Sequence, residues 1–153
     1  MTYQSVVVGT DGSATAERAV RQASALAADH GARLVVVTAY EPQGDALVES
    51  SGAPRDLRWM LTDRVQAEEL ARHGKAIAVE AGVAKVSVQA TSGSPADVLL
   101  AAAADFGADC IVVGSVGLTG AARFVMGSVA SSVAHHAPCD VLVVHTHTSK
   151  GTS

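Results

Sequence analysis

Four residues in one segment are types that can hold an anion without a catalytic side chain: Gly114, Gly117, Gly127 and Ser128. They lie in "GSVGLTGAARFVMGS" at 114–128, directly after the apolar run "CIVVG". Glycine lets a backbone approach a ligand with no Cβ in the way. Gly127 and Ser128 stand where a helix is predicted to begin, so free N–H groups and the positive end of the helix dipole would favour an anion there. Ser128 adds a hydroxyl donor. The segment reads as a phosphate cradle closed from two ends. A linker with a C-cap and an N-cap glycine would show the same spacing. A second unusual loop, "GTDGS" at 9–13, follows another apolar run. Its Asp11 could accept hydrogen bonds from an amino group or from ribose hydroxyls, or could cap a helix.

Familiar phosphate motifs do not fit. The P-loop needs Gly-Lys-Ser/Thr, and 114–128 holds no lysine; the G-x-G-x-x-G dinucleotide fingerprint is absent as well. His135, His136 and Cys139 are close in sequence, and His145 and His147 lie one residue apart. Adjacent histidines on a helix point to different faces, so zinc is not expected. G-x-S-x-G does not occur, which argues against a serine hydrolase. A phosphoryl-accepting receiver domain would have an acidic pair after the first strand, an aspartate ending the third and a lysine ending the fifth. Here Asp11 stands alone, the third run ends "QATSG" and the fifth ends in His145.

The elements that must position these loops follow from periodicity. "SVVVG" at 5–9 is short, β-branched and unbroken, the pattern of a strand buried on both faces. Ser13 caps a predicted helix whose Ala19, Val20, Ala23, Leu26 and Ala27 recur at helical spacing until Gly31. "RLVVVTAY" at 33–40 is the second strand. Residues 41–55 hold Pro42, Gly44, Gly52 and Pro54 and read as a long loop, mobile or folded over a ligand. A helix is predicted over about 56–81, with Leu57, Met60, Leu61, Val65 and Ile77 on its inner face. Strands at 85–91, 109–114 and 140–145 alternate with a helix opening near Ser94 or Asp97, which carries Val98, Leu99 and Leu100, and one from Ser128 to about His136. Helical crossovers between parallel strands make this a doubly wound α/β domain with helices on both faces. In such sheets ligands bind beyond the C-terminal strand ends, where strand order reverses.

Gly114-x2-Gly117-x9-Gly127-Ser128, with "VVVGTDGS" near the start and "HAPCDVLVVH" at the end, resembles the universal stress protein family over essentially the whole chain. The resemblance implies a five-stranded parallel sheet in order 3-2-1-4-5, a dimer, and a cytoplasmic regulatory or nucleotide-sequestering role in stress. It also implies an adenine nucleotide, ATP or cyclic AMP, over the first and fourth strand ends. Gly9, Thr10 and Asp11 would then lie beside adenine and ribose. The Ala39 backbone would meet the adenine edge, and Val113 and Gly114 would line the ribose. Gly117, Gly127, Ser128 and Val129 would receive phosphate oxygens. One departure bears on the ligand. Many relatives carry a basic residue between the first two glycines, where this chain has Val116. Arg123 is the one basic side chain of the segment and reads as a solvated residue. A triphosphate would therefore lean on a metal ion such as magnesium, whereas a monophosphate asks for less.

The totals agree with this class. The chain has 153 residues, enough for one domain, assigned to 1–147 with a frayed tail at 148–153. Hydrophobic residues make up 48% and aromatics 3%, so Val, Ala and Leu must fill the core. A net charge of −4 argues against general nucleic-acid or anionic-membrane binding. No run reaches the roughly 18 apolar residues of a membrane span, and no signal peptide is visible. Cys110 and Cys139 are expected as two buried free thiols. The apolar edge of "DVLVVH" is expected to pair with its copy in a homodimer. Nucleotide binding is expected rather than catalysis. Slow ATP hydrolysis at the same site, or an interaction dimer with a vestigial pocket, are the other readings.

Overall fold

The computed structural model describes residues 2–40, 54–115 and 127–145, with backbone alone for 54–63. Gly117, Val116, Arg123, the loop 41–53, His147 and the tail lie outside the described residues, as do the side chains of Leu57, Met60 and Leu61. The strands are β1 (Ser5–Gly9), β2 (Arg33–Tyr40), β3 (Val86–Ser92), β4 (Cys110–Gly114) and β5 (Asp140–Val144). They form one parallel sheet in the expected order β3-β2-β1-β4-β5. Between them run α1 (Ala14–His30), α2 (Pro54–Glu80), α3 (Pro95–Asp105) and α4 (Ser128–His136).

Valine-rich strands sit at the centre because both faces of the sheet are covered. Val6, Val8, Leu34 and Val36 pack with α1 and α2, and Val7, Val35, Val37 and Ile111 pack with α3 and α4. The chain winds from β1 out to β3, then crosses back to place β4 on the other side of β1. The reversal point therefore lies between the C-terminal ends of β1 and β4. The opposite rim is tied down. The Asp109 carboxylate accepts from the amides of Gln4 (3.0 Å) and Ser5 (3.1 Å). Arg33 donates to the Phe106 carbonyl at 2.7 Å, with its guanidinium 5.1 Å from that ring's centre.

Several boundaries differ from the sequence reading. α2 starts at Pro54, inside the predicted loop, because a first-turn proline sacrifices no helical hydrogen bond. β3 runs one residue later than 85–91, β4 starts at Cys110, and β5 ends at Val144. Val65, expected on the inner face of α2, is 50% exposed. Beside Ile77, which is buried as expected, that face is held by Ala67, Ala71, Gly74 and Ala78, at spacings of four, three and four. Their small size lets the helix settle onto β2: a Cβ on Gly74 would stand 2.7 Å from Val36 Cγ1. Cys110 is buried, but Cys139 is half-buried, because it sits at the sheet margin just ahead of edge strand β5. No described helix is long and apolar enough to cross a membrane.

Candidate functional site

A cleft of about 300 Å³ opens at the reversal point, over the C-terminal ends of β2, β1 and β4. It collects nine of the ten residues singled out in the sequence: Gly9, Thr10 and Asp11 from the β1 end, Ala39 from β2, Val113 and Gly114 from β4, and Gly127, Ser128 and Val129 from the start of α4. The tenth, Gly117, lies outside the described residues.

The β1–α1 loop is held by its own short side chains. The Thr10 amide extends the β1–β2 ladder by donating to the Val37 carbonyl at 2.9 Å. Thr10 Oγ1 accepts from the Gly12 amide at 3.1 Å, and Asp11 Oδ1 accepts from the Ser13 amide at 3.0 Å. Gly12 has φ 82°, which an L side chain rarely adopts, and a Cβ there would also meet Leu70 at 2.6 Å. Ser13, not Asp11, caps α1: its Oγ accepts from the Ala16 amide at 3.1 Å. Asp11 is left exposed at the cleft, the single ionisable side chain among its described lining residues.

α4 begins differently. Its N-cap is Gly127, which offers no side-chain cap, whereas α1 and α3 are capped by Ser13 and Ser94. The first internal helical bond of α4 runs from the Ser131 amide to the Gly127 carbonyl at 3.0 Å. The amides of Ser128, Val129 and Ala130 precede it and meet no intrahelical acceptor. All three residues line the cleft, so its α4 end presents backbone donors together with the helix dipole. The Gly127 amide is already engaged, donating to the Ser115 carbonyl at 2.6 Å, and the Ser115 amide donates to Val144 of β5 at 2.8 Å. Gly127 therefore contributes a bare cap, and the amide donors come from the three residues after it.

The far end of the cleft is apolar. Val37 and Ala39 of β2 face Pro95, Val98 and Leu99 at the start of α3. Sequence reasoning placed Val98 and Leu99 on a helix but not in the site, and it passed over Thr15, which lines the cleft from the first turn of α1. The usable signal was topological. The crossover from β3 to β4 has to pass over the reversal point, and it sets the start of α3 beside it.

The groups whose titration the fold displaces lie at the opposite rim. The Tyr3 phenol is pushed up to about 12, chiefly because its hydroxyl donates to Asp140 Oδ2 at 2.8 Å. Burial pushes the Cys110 thiol up to about 11 and also raises that of Cys139. No cluster of three or more His, Cys, Asp or Glu among the described residues is placed to hold a metal.

Comparison with known proteins agrees with this geometry. The universal stress protein family model matches residues 2–145. A universal stress protein of Staphylococcus haemolyticus is 35% identical over 147 residues, covering 95% of this chain and 87% of the relative. One from Staphylococcus aureus is 36% identical, covering 95% and 86%. Among solved structures, a universal stress protein in complex with cAMP is 35% identical with a TM-score of 0.71, covering 95% of this chain and 99% of that one. The universal stress protein from Archaeoglobus fulgidus in complex with dAMP is 26% identical with a TM-score of 0.65, covering 94% and 98%. The chain belongs to the universal stress protein family.

Proposed function

We propose that the cleft binds an adenine nucleotide carrying a single phosphate, cyclic AMP foremost, and that the protein is a cytoplasmic regulatory or sequestering module in the stress response rather than an enzyme. The observation that carries this reading is the polarity of the cleft. An apolar wall suited to a purine faces, across the strand ends, a helix start whose leading amides lack an internal acceptor. Backbone amides and the Ser128 hydroxyl match one phosphate charge without a cationic side chain. Thr10 and Asp11 sit between the two ends, where a ribose would lie. Relatives crystallised with cAMP and with dAMP, each a monophosphate, support the same choice. The acting unit is a homodimer paired along the edge of β5.

The test is a thermal-shift panel with ATP, ADP, AMP and cyclic AMP, with and without magnesium. A ligand at a hundredfold its dissociation constant stabilises by about 2.7 kcal/mol. Cyclic AMP should raise the melting point at lower concentration than ATP. Val129→Pro deletes one amide donor at a position where a first-turn helix tolerates proline, and should weaken binding about tenfold. A larger response to ATP would overturn the single-phosphate choice. ATP turnover lost in Val129→Pro would favour hydrolysis, and no shift with any of the four would leave the cleft vestigial.

A further inference from the structure

Leu99 stands where the cleft meets the core. It is 4% exposed and packs in the cluster of Val7, Val35 and Ile111, yet it also forms part of the cleft wall. Its two methyl carbons lie 3.1 Å and 3.3 Å from the point where a Cβ would project from Gly9. The end of β1 and the tip of Leu99 thus close on each other with no space between them. Glycine at position 9 is what allows that approach.

We propose that Leu99, seated against Gly9, is the specificity-determining residue that fixes how large a base the cleft admits. This rests on the nucleotide reading above. With the phosphate at the start of α4, the base falls against the opposite wall, built from β2 and α3. There Ala39 has little side chain to remove, and Val98, as buried as Leu99, is a methylene shorter. Leu99 is the wall's largest side chain that reaches from the cleft into the core. Truncating an ordinary core leucine leaves a sealed void. Truncating Leu99 opens a void continuous with the cleft, so a bulkier base gains room.

The experiment compares wild type, Leu99→Ala and Leu99→Val for binding of cyclic AMP and of cyclic AMP carrying a benzyl or phenyl group at N6, C2 or C8. Wild type should discriminate against a bulky analogue by about tenfold or more. For at least one ring position, Leu99→Ala should bind the bulky analogue about tenfold better, relative to cyclic AMP, than wild type does. Leu99→Val should move the ratio the same way by less, which keeps the test open if the alanine variant fails to fold. Gly9→Ala, by forcing a Cβ against Leu99, should sharpen the discrimination. A leucine that serves packing alone would weaken every ligand by one common factor. Wild type that binds cyclic AMP while the ratios stay fixed across the variants overturns this proposal alone. Wild type that binds neither cyclic AMP nor ATP overturns the nucleotide reading and this proposal with it.

Discussion

Thr38 is a small anomaly with a measurable consequence. It lies in the second half of β2, 2% exposed, and its buried Oγ1 has no hydrogen-bond partner among the described residues. A buried hydroxyl without a partner costs roughly 1–3 kcal/mol of desolvation. Valine has the same shape and no such cost. Thr38→Val is therefore expected to stabilise the protein by about 1 kcal/mol, raising the melting temperature by about 2–4 °C. Chemical and thermal unfolding would check it, and a loss of stability would mean that the hydroxyl is satisfied in solution. At this scale the sequence was informative where chemistry is local. Gly127 and Ser128 marked a helix start, though not that it is uncapped, since Gly12-Ser13 and Gly93-Ser94 are the same pair and there the serine caps the helix. Leu99 stayed hidden because its role comes from a contact with Gly9, 90 positions earlier, that no local pattern encodes.

The strands were legible because a buried parallel strand must be an unbroken apolar run, and "SVVVG" and "CIVVG" can be little else. α2 was the element least well read. Apart from Ile77, its buried face is largely alanine and glycine, which carry almost no hydrophobic signal, so the larger Val65 was wrongly drawn into the prediction. The tie between the lead-in to β1 and the start of β5 was not legible either, since Tyr3 and Asp140 are 137 residues apart. That tie has a pH signature. The fold raises the Tyr3 phenol from 10.0 to about 12, chiefly through the hydrogen bond to Asp140. The protonated phenol is the form that the fold favours. Its contribution is complete below about pH 10 and fades as pH climbs through about 12. Phenolate absorbance should show one of the two tyrosines titrating near pH 12 in the wild type and returning toward 10.0 in Asp140→Ala. An unchanged midpoint in the variant would remove Asp140 as the cause.

At the scale of the whole molecule, strand order decides where everything else goes. With β1 at the centre and the chain reversing beside it, the β1–α1 loop and the start of α4 meet at one rim, and the two edge strands lie at the far sides. Each exposes one large apolar side chain, Val88 on β3 (38%) and Leu142 on β5. β5 is five residues long, with Leu142 39% exposed and Val141 and Val143 half-buried. An exposed apolar edge of this kind is a liability unless it is covered. A second copy covers it if the two β5 strands pair antiparallel about a two-fold axis at Leu142. Each Leu142 then opposes its own copy, and each Asp140 opposes a Val144. Leu142→Arg would set two like charges directly opposite each other, which destabilises a strand pair. Wild type should sediment as a dimer at micromolar concentration, and Leu142→Arg as a monomer with unchanged circular dichroism. The side chain is already partly in solvent, so the substitution leaves the protomer's core intact. A wild type that is monomeric at that concentration, or a variant that still dimerises, would place the pairing surface elsewhere.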